Sequence, residues 1–279
     1  MTAPESDNTL RYLLKRHGMD TLQGVMAFGG GTDLTKPGLG ERRRTRLDLT
    51  DDSGGRHVLF LKRYGPPRVL AGIRRWWTHG WAFSPAEVEA RNIEAARQAG
   101  VTTMEVVDWR SGAAGSYLIT TAVPGEALER CPEAFWRRLA DDAKAGAEFT
   151  SRLAALVRTL HAAGCVHRDL YASHVFLDEG SGRFDLYLID LARVFRPRWR
   201  RFRWRVKDLA QLHYSMPALW RDLWWEAFLG EYLGPCGAAS AARWRAAILR
   251  KSASIARRAS KRPCGVEKDN PTGTEARAG

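Results

Sequence analysis

The stretch His167-Arg168-Asp169-Leu170 constrains this chain more than any other. It follows a segment in which Phe149, Leu153, Leu156, Val157 and Leu160 recur at helical spacing, with Gly164 just past the predicted helix end. Two short apolar runs come next, 175–177 and 184–189, and read as strands around a turn. Asp190 closes the second run, twenty-one residues beyond Asp169. Two carboxylates on adjacent loops, each beside a short strand, can point into one cleft. One can orient and deprotonate an attacking hydroxyl. The other can hold Mg²⁺ on the phosphates of a nucleotide. The tripeptide alone is a weak signal; a helix before it and strand, turn, strand and Asp after it make it specific.

The first half supplies a cation for such a site. Residues 58–62 read as a strand that ends on Lys62, and Gly65-Pro66-Pro67 stops it. A lysine there can reach from a sheet into the cleft and hold the α- and β-phosphates. It needs a carboxylate to keep it charged and aimed. Ser84-Pro85 followed by Glu87 predicts a helix to about Ala99. On it Glu89 is the preferred partner, with Glu87 and Glu94 as rivals. Further strands are expected over 22–28, 44–50 and 117–123. Two glycine groups between the first two strands, Gly29-Gly30-Gly31 and Gly38-x-Gly40, can each let backbone N–H groups approach phosphate. No GxxxxGK[ST] occurs, which excludes a P-loop at motif level. Helices are expected over 206–214 and 218–232. The whole predicts an α+β chain: a small β-rich lobe (1–123), a larger helical lobe (124–262) and a disordered tail (263–279).

Charge placement bears on the partner. The net charge is +13, yet eight cations and no acid lie in 193–207, and the same holds for 243–262. The remainder carries −3. Two local cationic surfaces are therefore expected, suited to polyanions: nucleic acid, anionic lipid or a phosphorylated glycan. In the first, Phe195, Trp199, Phe202 and Trp204 alternate with Arg. The second reads as a disordered basic tail, with a peripheral membrane anchor as the alternative. No apolar run approaches the ~18–20 residues of a membrane span. The start of the chain lacks the features of a secretory signal. Cys131, Cys165, Cys236 and Cys264 are scattered, which argues against a zinc site or a disulfide framework and suits a reducing cytoplasm.

These segments resemble the Kdo/heptose lipopolysaccharide core kinases, relatives of the eukaryotic-type protein kinases. The resemblance covers roughly residues 35–215 and rests on KPGLGERRRTRL, FLKRYGPP, HRDLYASHVFL, LIDLARV and RWRVKDLAQLHYS. It implies a protein-kinase-like two-lobed fold, ATP and Mg²⁺ as cofactors, and transfer of a phosphoryl group to Kdo or heptose. Asp169 would be the base, Asp190 the metal ligand and Lys62 with Glu89 the nucleotide clamp. Departures from the protein-kinase pattern bear on the acceptor. Tyr171 stands where a lysine beside the γ-phosphate is usual, and His174 replaces the asparagine ligand of a second metal. Histidine suits a hard cation poorly, so His174 can instead bond phosphate or hold Asp169, and Arg168 supports the loop. No peptide-docking segment follows Ile189-Asp190-Leu191; the arginine stripe stands there instead. Arg193 can supply the missing cation, and Arg198, Arg200, Arg201 and Arg203 are expected to meet an anionic glycolipid. Asp208 is expected to accept hydrogen bonds from the His167–Asp169 loop. The expected partners are the inner-core glycolipid and an anionic membrane surface, the latter placing the protein on the cytoplasmic face of the inner membrane; neither nucleic acid nor an obligate protein partner is expected. A protein kinase, a non-catalytic polyanion binder and, more remotely, a nucleic-acid binder are the alternatives.

Overall fold

Strand alternation decides which side chains of the first half reach the cleft. In the structure, a computed structural model describing residues 5–34, 42–66 and 84–261, five strands form an antiparallel sheet in the order β1-β2-β3-β5-β4. They are β1 (Thr32–Asp33), β2 (Arg43–Thr50), β3 (Arg56–Tyr64), β4 (Val106–Gly112) and β5 (Gly115–Thr121). Leu59, Leu61, Tyr117 and Ile119 face one side, where helices α1 (Glu5–Arg16) and α2 (Leu22–Ala27) add Leu13 and Val25 and the turn between them adds Met19. The period of two sends Lys62, Tyr64 and Leu118 the other way. Lys62 sits opposite Arg44 on β2 and Leu118 on β5. Helix α3 (Pro85–Gln98) packs on that second face through Ala86, Ala90 and Ile93. Its start is fixed by the Ser84 hydroxyl, which accepts from Glu87 N at 3.1 Å, and by Pro85 in the first turn.

The second half is helical: α4 (Glu133–Asp141), α5 (Ala143–Ala162), α6 (Arg201–Ser215), α7 (Ala218–Leu233) and α8 (Ala238–Ser260). A small sheet, β6 (Glu126–Ala127), β7 (Val175–Asp178) and β8 (Asp185–Leu188), lies between the helices and the cleft. Phe149 on α5 meets Phe135, Trp136, Phe184 and Trp220 edge-on, at 5.6 to 6.3 Å between ring centres. One apolar cluster runs from Tyr64 and Leu118 through Leu170 and Leu188 to Phe228 and Ile248, so both halves share a core. The chain crosses between them at Gly125, whose φ is +79°. A Cβ there would lie 1.9 Å from the Leu177 carbonyl oxygen, so this turn admits only glycine. The result is a two-lobed α+β molecule.

Three expectations change. Residues 22–28, expected as a strand, form α2, because Thr21 caps the turn by accepting from Gly24 N at 3.0 Å. A short apolar run cannot by periodicity alone distinguish the two. The triplet Gly29-Gly30-Gly31 therefore follows a helix and leads into β1, rather than lying between two strands. The segment 243–262, read as a basic tail, is helical as far as Ser260. Ile248 is fully buried, and Trp244 packs on Phe202 and Tyr232 at 4.6 and 6.0 Å. Helix α4 escaped the sequence reading because Pro132 precedes it without a side-chain cap. Gly38, Gly40, Cys264 and the expected tail 263–279 lie outside the described residues. Among those described, no helix is long and apolar enough to cross a membrane.

His213 on α6 joins three helices. Its Nδ1 lies 2.9 Å from the Ser252 hydroxyl on α8, and its ring meets Trp225 of α7 edge-on at 4.6 Å. Burial first, then the charge of Arg221, pushes its pKa down to about 4. The folded state therefore resists a proton that the unfolded chain accepts below its ordinary value near 6.5. The stability this neutral histidine contributes is complete above pH 6.5 and is lost as pH falls toward 4. Denaturation midpoints for wild type and His213→Gln should converge between pH 7 and pH 5, because only the wild type carries this loss. A constant gap would show that His213 does not titrate with folding.

Candidate active site

The backbone of the His167–Asp169 loop is held from beneath by one buried carboxylate. Asp208, fully buried on α6, accepts from His167 N at 2.6 Å and from Arg168 N at 2.8 Å. Its Oδ2 also takes the His161 ring nitrogen at 3.2 Å, while the other ring nitrogen of His161 meets the Tyr232 hydroxyl at 2.8 Å. Arg168 has φ +72°, a left-handed conformation that a non-glycine residue keeps only when its surroundings impose it. Those surroundings are the Asp208 bonds, a Lys207 ammonium donating to the Arg168 carbonyl, and a guanidinium lying over Phe195 and Trp204 at 5.4 and 5.6 Å. Three of the four stripe aromatics are thereby packing residues: Phe195 and Trp204 under Arg168, and Phe202 on Trp244. Trp199 alone of the four points outward, 82% exposed.

Asp169 projects from this loop and pairs with Arg193, Nη1 to Oδ2 at 2.6 Å. The His174 ring donates from Nδ1 to the Asp169 carbonyl at 2.7 Å, since a carbonyl can only accept. In the neutral ring that leaves Nε2 as an acceptor, and it lies 3.9 Å from Asp190 Oδ2. The buried His167 ring donates to the Ile189 carbonyl at 3.0 Å, tying the two carboxylate loops together.

Asp190, in the left-handed region at φ +58°, faces the sheet. Lys62, 5% exposed, donates to Glu89 and lies 3.4 Å from Asp190 Oδ1. Burial works to raise the Asp190 pKa, but Lys62 and Arg42, ahead of Arg44 and His174, overcome it and hold the carboxyl well below the usual range. Among the three candidate acids, Glu89 is the one that meets Lys62. On α3 it falls within the Ala86, Ala90 and Ile93 stripe, whereas Glu87 and Glu94 lie beside it, so the packed face selects it.

Four residues that sequence reasoning missed complete the arrangement. The Tyr64 hydroxyl donates to Glu89 at 2.8 Å, and Arg42 reaches the same cluster. Asn92, one turn beyond Glu89, donates to the carbonyls of Leu191 and Val194, both at 2.9 Å, and so clamps the Asp190 loop to α3. Lys207 is the fourth. A polar residue at i+3 from Glu89 was the one available signal for Asn92.

Beside these groups a cavity of about 570 Å³ opens between the lobes. Val58, Phe60, Met104, Phe176 and Ile189 give it apolar walls, and Lys62, Arg44, Arg46 and Asp190 line its charged end. Gly29, Gly30 and Gly31 do not line it. Gly31 instead packs on β2, where a Cβ would lie 2.5 Å from the Arg46 carbonyl oxygen. Arg198, Arg200, Arg201 and Arg203 lie outside the cavity, exposed on and before the first turn of α6.

Asp208→Ala should leave the His167 and Arg168 N–H groups buried and unmet, each worth about 1–3 kcal/mol. Chemical denaturation should register a loss of at least about 2 kcal/mol from the two. A loss well under 1 kcal/mol would mean the loop is held by something else.

Comparison with known proteins shows the family. The model of the lipopolysaccharide kinase (Kdo/WaaP) family matches residues 61–232. A lipopolysaccharide core heptose(I) kinase WaaP of Escherichia coli is 34% identical over 195 residues, 64% of this chain and 72% of that one. Its counterpart in strain K12 is 32% identical over 208 residues, 69% and 75% of the two chains. A solved structure of WaaP in complex with acyl carrier protein superposes with a TM-score of 0.59 at 25% identity, covering 85% of this chain and 91% of that one. The matched span contains Lys62, Glu89, Asp169, Asp190 and Asp208. With the family model matching more than half of its length and two relatives above 30% identity covered to more than two thirds, the chain belongs to the lipopolysaccharide kinase (Kdo/WaaP) family of phosphotransferases.

Proposed function

We propose that this protein transfers the γ-phosphoryl group of ATP to a hydroxyl of a lipopolysaccharide inner-core sugar, Kdo or heptose, on the cytoplasmic face of the inner membrane. One observation carries the reading: the His174 ring spans the two loops, bonded to the Asp169 carbonyl on one side and 3.9 Å from Asp190 on the other, while Lys62 bridges Glu89 and Asp190. In this reading residues 1–123 hold the nucleotide and 124–262 the acceptor.

Asp190 offers a hard carboxylate oxygen beside a cationic cavity end, a donor set that fits Mg²⁺ accompanied by phosphate oxygens. His174 Nε2 is a second, softer donor on the same side. The cation would offset charge on the phosphates and on the leaving oxygen. The chain's own residues do the rest. Lys62, kept charged and aimed by Glu89, holds the nucleotide phosphates. Asp169 orients the sugar hydroxyl and takes its proton. Arg193 positions the Asp169 carboxylate and puts a cation where Tyr171 supplies none. Arg168 and His174 keep the loop in shape.

The arginine stripe supports an anionic acceptor. Helix α6 opens on Arg201, Phe202 and Arg203 with no acid in its first turn and no side-chain cap. Cations at a helix N-terminus oppose its dipole, and a phosphate or carboxylate seated there relieves that opposition. Arg198, Arg200, Arg201 and Arg203 are the acceptor contacts in this reading, with the anionic membrane as their surroundings. One relative is known in complex with acyl carrier protein, so a carrier protein is a partner to test against the same surface.

Transfer of label from ATP to purified lipopolysaccharide is the direct assay, with mass spectrometry locating the added phosphate. Asp169→Asn should lower transfer by about 10²–10⁴-fold and leave ATP affinity nearly unchanged, since the base acts on the acceptor. Wild-type transfer by that variant would remove Asp169 from the chemistry. Replacing Arg198, Arg200, Arg201 and Arg203 by Gln together should weaken lipopolysaccharide binding by up to about a thousandfold, at about 1 kcal/mol per contact near an anionic surface. ATP affinity should hold in that variant. Wild-type preference for duplex DNA or single-stranded RNA over lipopolysaccharide, with no phosphate transferred, would overturn the reading.

A further inference from the structure

Arg42 stands just before β2, and its guanidinium lies over the Tyr64 ring at 5.3 Å from the ring centre. Its Nη2 is 3.5 Å from Asp190 Oδ1 and 3.9 Å from Glu89 Oε2. These are ion-pair distances without good hydrogen bonds: both Nε and Nη2 are buried and lack a hydrogen-bond partner. Leaving buried N–H donors unmet is costly, so a guanidinium built this way fits a ligand that brings oxygen atoms.

Lys62 and Arg42 share one oxygen, Asp190 Oδ1, at 3.4 and 3.5 Å. A divalent cation coming to that carboxylate meets two cations already there. Lys62 is 5% exposed and bonded to Glu89, so it is the one fixed in place. The Arg42 side chain is 26% exposed, reaches both carboxylates only at 3.5 and 3.9 Å and otherwise rests on an aromatic face, so it is the more easily moved of the two. Tyr64 gives it an aromatic face to rest on, and the Tyr64 hydroxyl is itself spent on Glu89.

We propose that Arg42 is a phosphate-binding residue of this cleft that neutralises Asp190 when the cleft is empty and moves onto the nucleotide phosphates when a metal takes the carboxylate. It would supply, from the sheet side, a second phosphate cation beside Lys62. The inference rests on reading the cleft as a metal–nucleotide site, and it assigns Arg42 two opposite effects. Arg42 competes with a metal that comes alone, and it assists a metal that comes with phosphates.

Binding measurements separate the two effects without any turnover. Calorimetry with MgADP and electron paramagnetic resonance with Mn²⁺ alone would be run on wild type, Arg42→Gln and Arg42→Lys. For Arg42→Gln, MgADP should bind about tenfold more weakly, the usual order for a lost charge-assisted bond. Mn²⁺ alone should bind about threefold more tightly, because a cation 3.5 Å from its carboxylate is gone. Arg42→Lys keeps the charge and should restore most of the MgADP affinity. Unchanged MgADP affinity in Arg42→Gln would overturn the assignment. So would parallel loss of MgADP and Mn²⁺ binding, or no restoration by Lys, since either marks a structural role through Tyr64. If wild type itself binds no MgADP, the nucleotide reading fails and this inference falls with it.

Discussion

The Asp208 carboxylate takes the backbone N–H groups of His167 and Arg168 and the ring of His161, and through His161 it reaches Tyr232. Three helices and the His167–Asp169 loop thus meet on one buried anion. Burying a carboxylate is expensive unless its lone pairs are filled. Here they are filled by groups that must hold their positions, so satisfying the charge also fixes the loop. The left-handed Arg168 and the direction in which Asp169 projects follow from it. The shape of the larger lobe and the aim of Asp169 are therefore one energetic problem with one solution.

The smaller lobe solves a related problem with paired charges. Lys62, Arg42, Glu89 and Asp190 form a cluster of two cations and two anions between sheet, helix and loop. Neither carboxylate could be carried so far from water by itself. The cluster is balanced only while both cations are present, so any charged group entering beside it would change that balance. Two elements that otherwise touch through small apolar residues are thereby coupled to what occupies the cleft. Asn92 extends the coupling, because the helix that carries Glu89 also grips the loop that carries Asp190.

The stripe after Asp190 combines two jobs in one segment. Its aromatics mostly turn inward, supporting Arg168 and docking α8, while its arginines turn outward around the start of α6. Folding alone does not favour so many cations at a helix N-terminus. Within the charged half, Arg205 serves the fold by donating to the His161 carbonyl at 2.6 Å and Arg201 reaches the Pro197 carbonyl at 3.3 Å, whereas Arg198, Arg200 and Arg203 stay exposed. That division is the physical support for an anionic ligand on this face.

Much of this was present in the sequence, because it rests on local rules. Alternation along β3 dictates that Lys62 leaves the sheet on the face away from Leu61. The Ser84-Pro85 start and helical spacing fix α3 and α5. The twenty-one residues from Asp169 to Asp190 leave room for little more than one hairpin, which β7 and β8 form. What tertiary structure alone decided is the choice of partners. Residues 22–27 became a helix because a cap and the sheet beneath favoured it over an ambiguous apolar run. Residues 238–260 became a packed helix because Trp244 and Ile248 found Phe202 and the core. Arg42 in the cluster with Glu89 and Asp190, Asn92 on the loop and Lys207 on the Arg168 carbonyl are contacts between segments far apart in the chain. Periodicity and capping act within a few residues, whereas a side-chain charge finds its partner only after whole elements have docked.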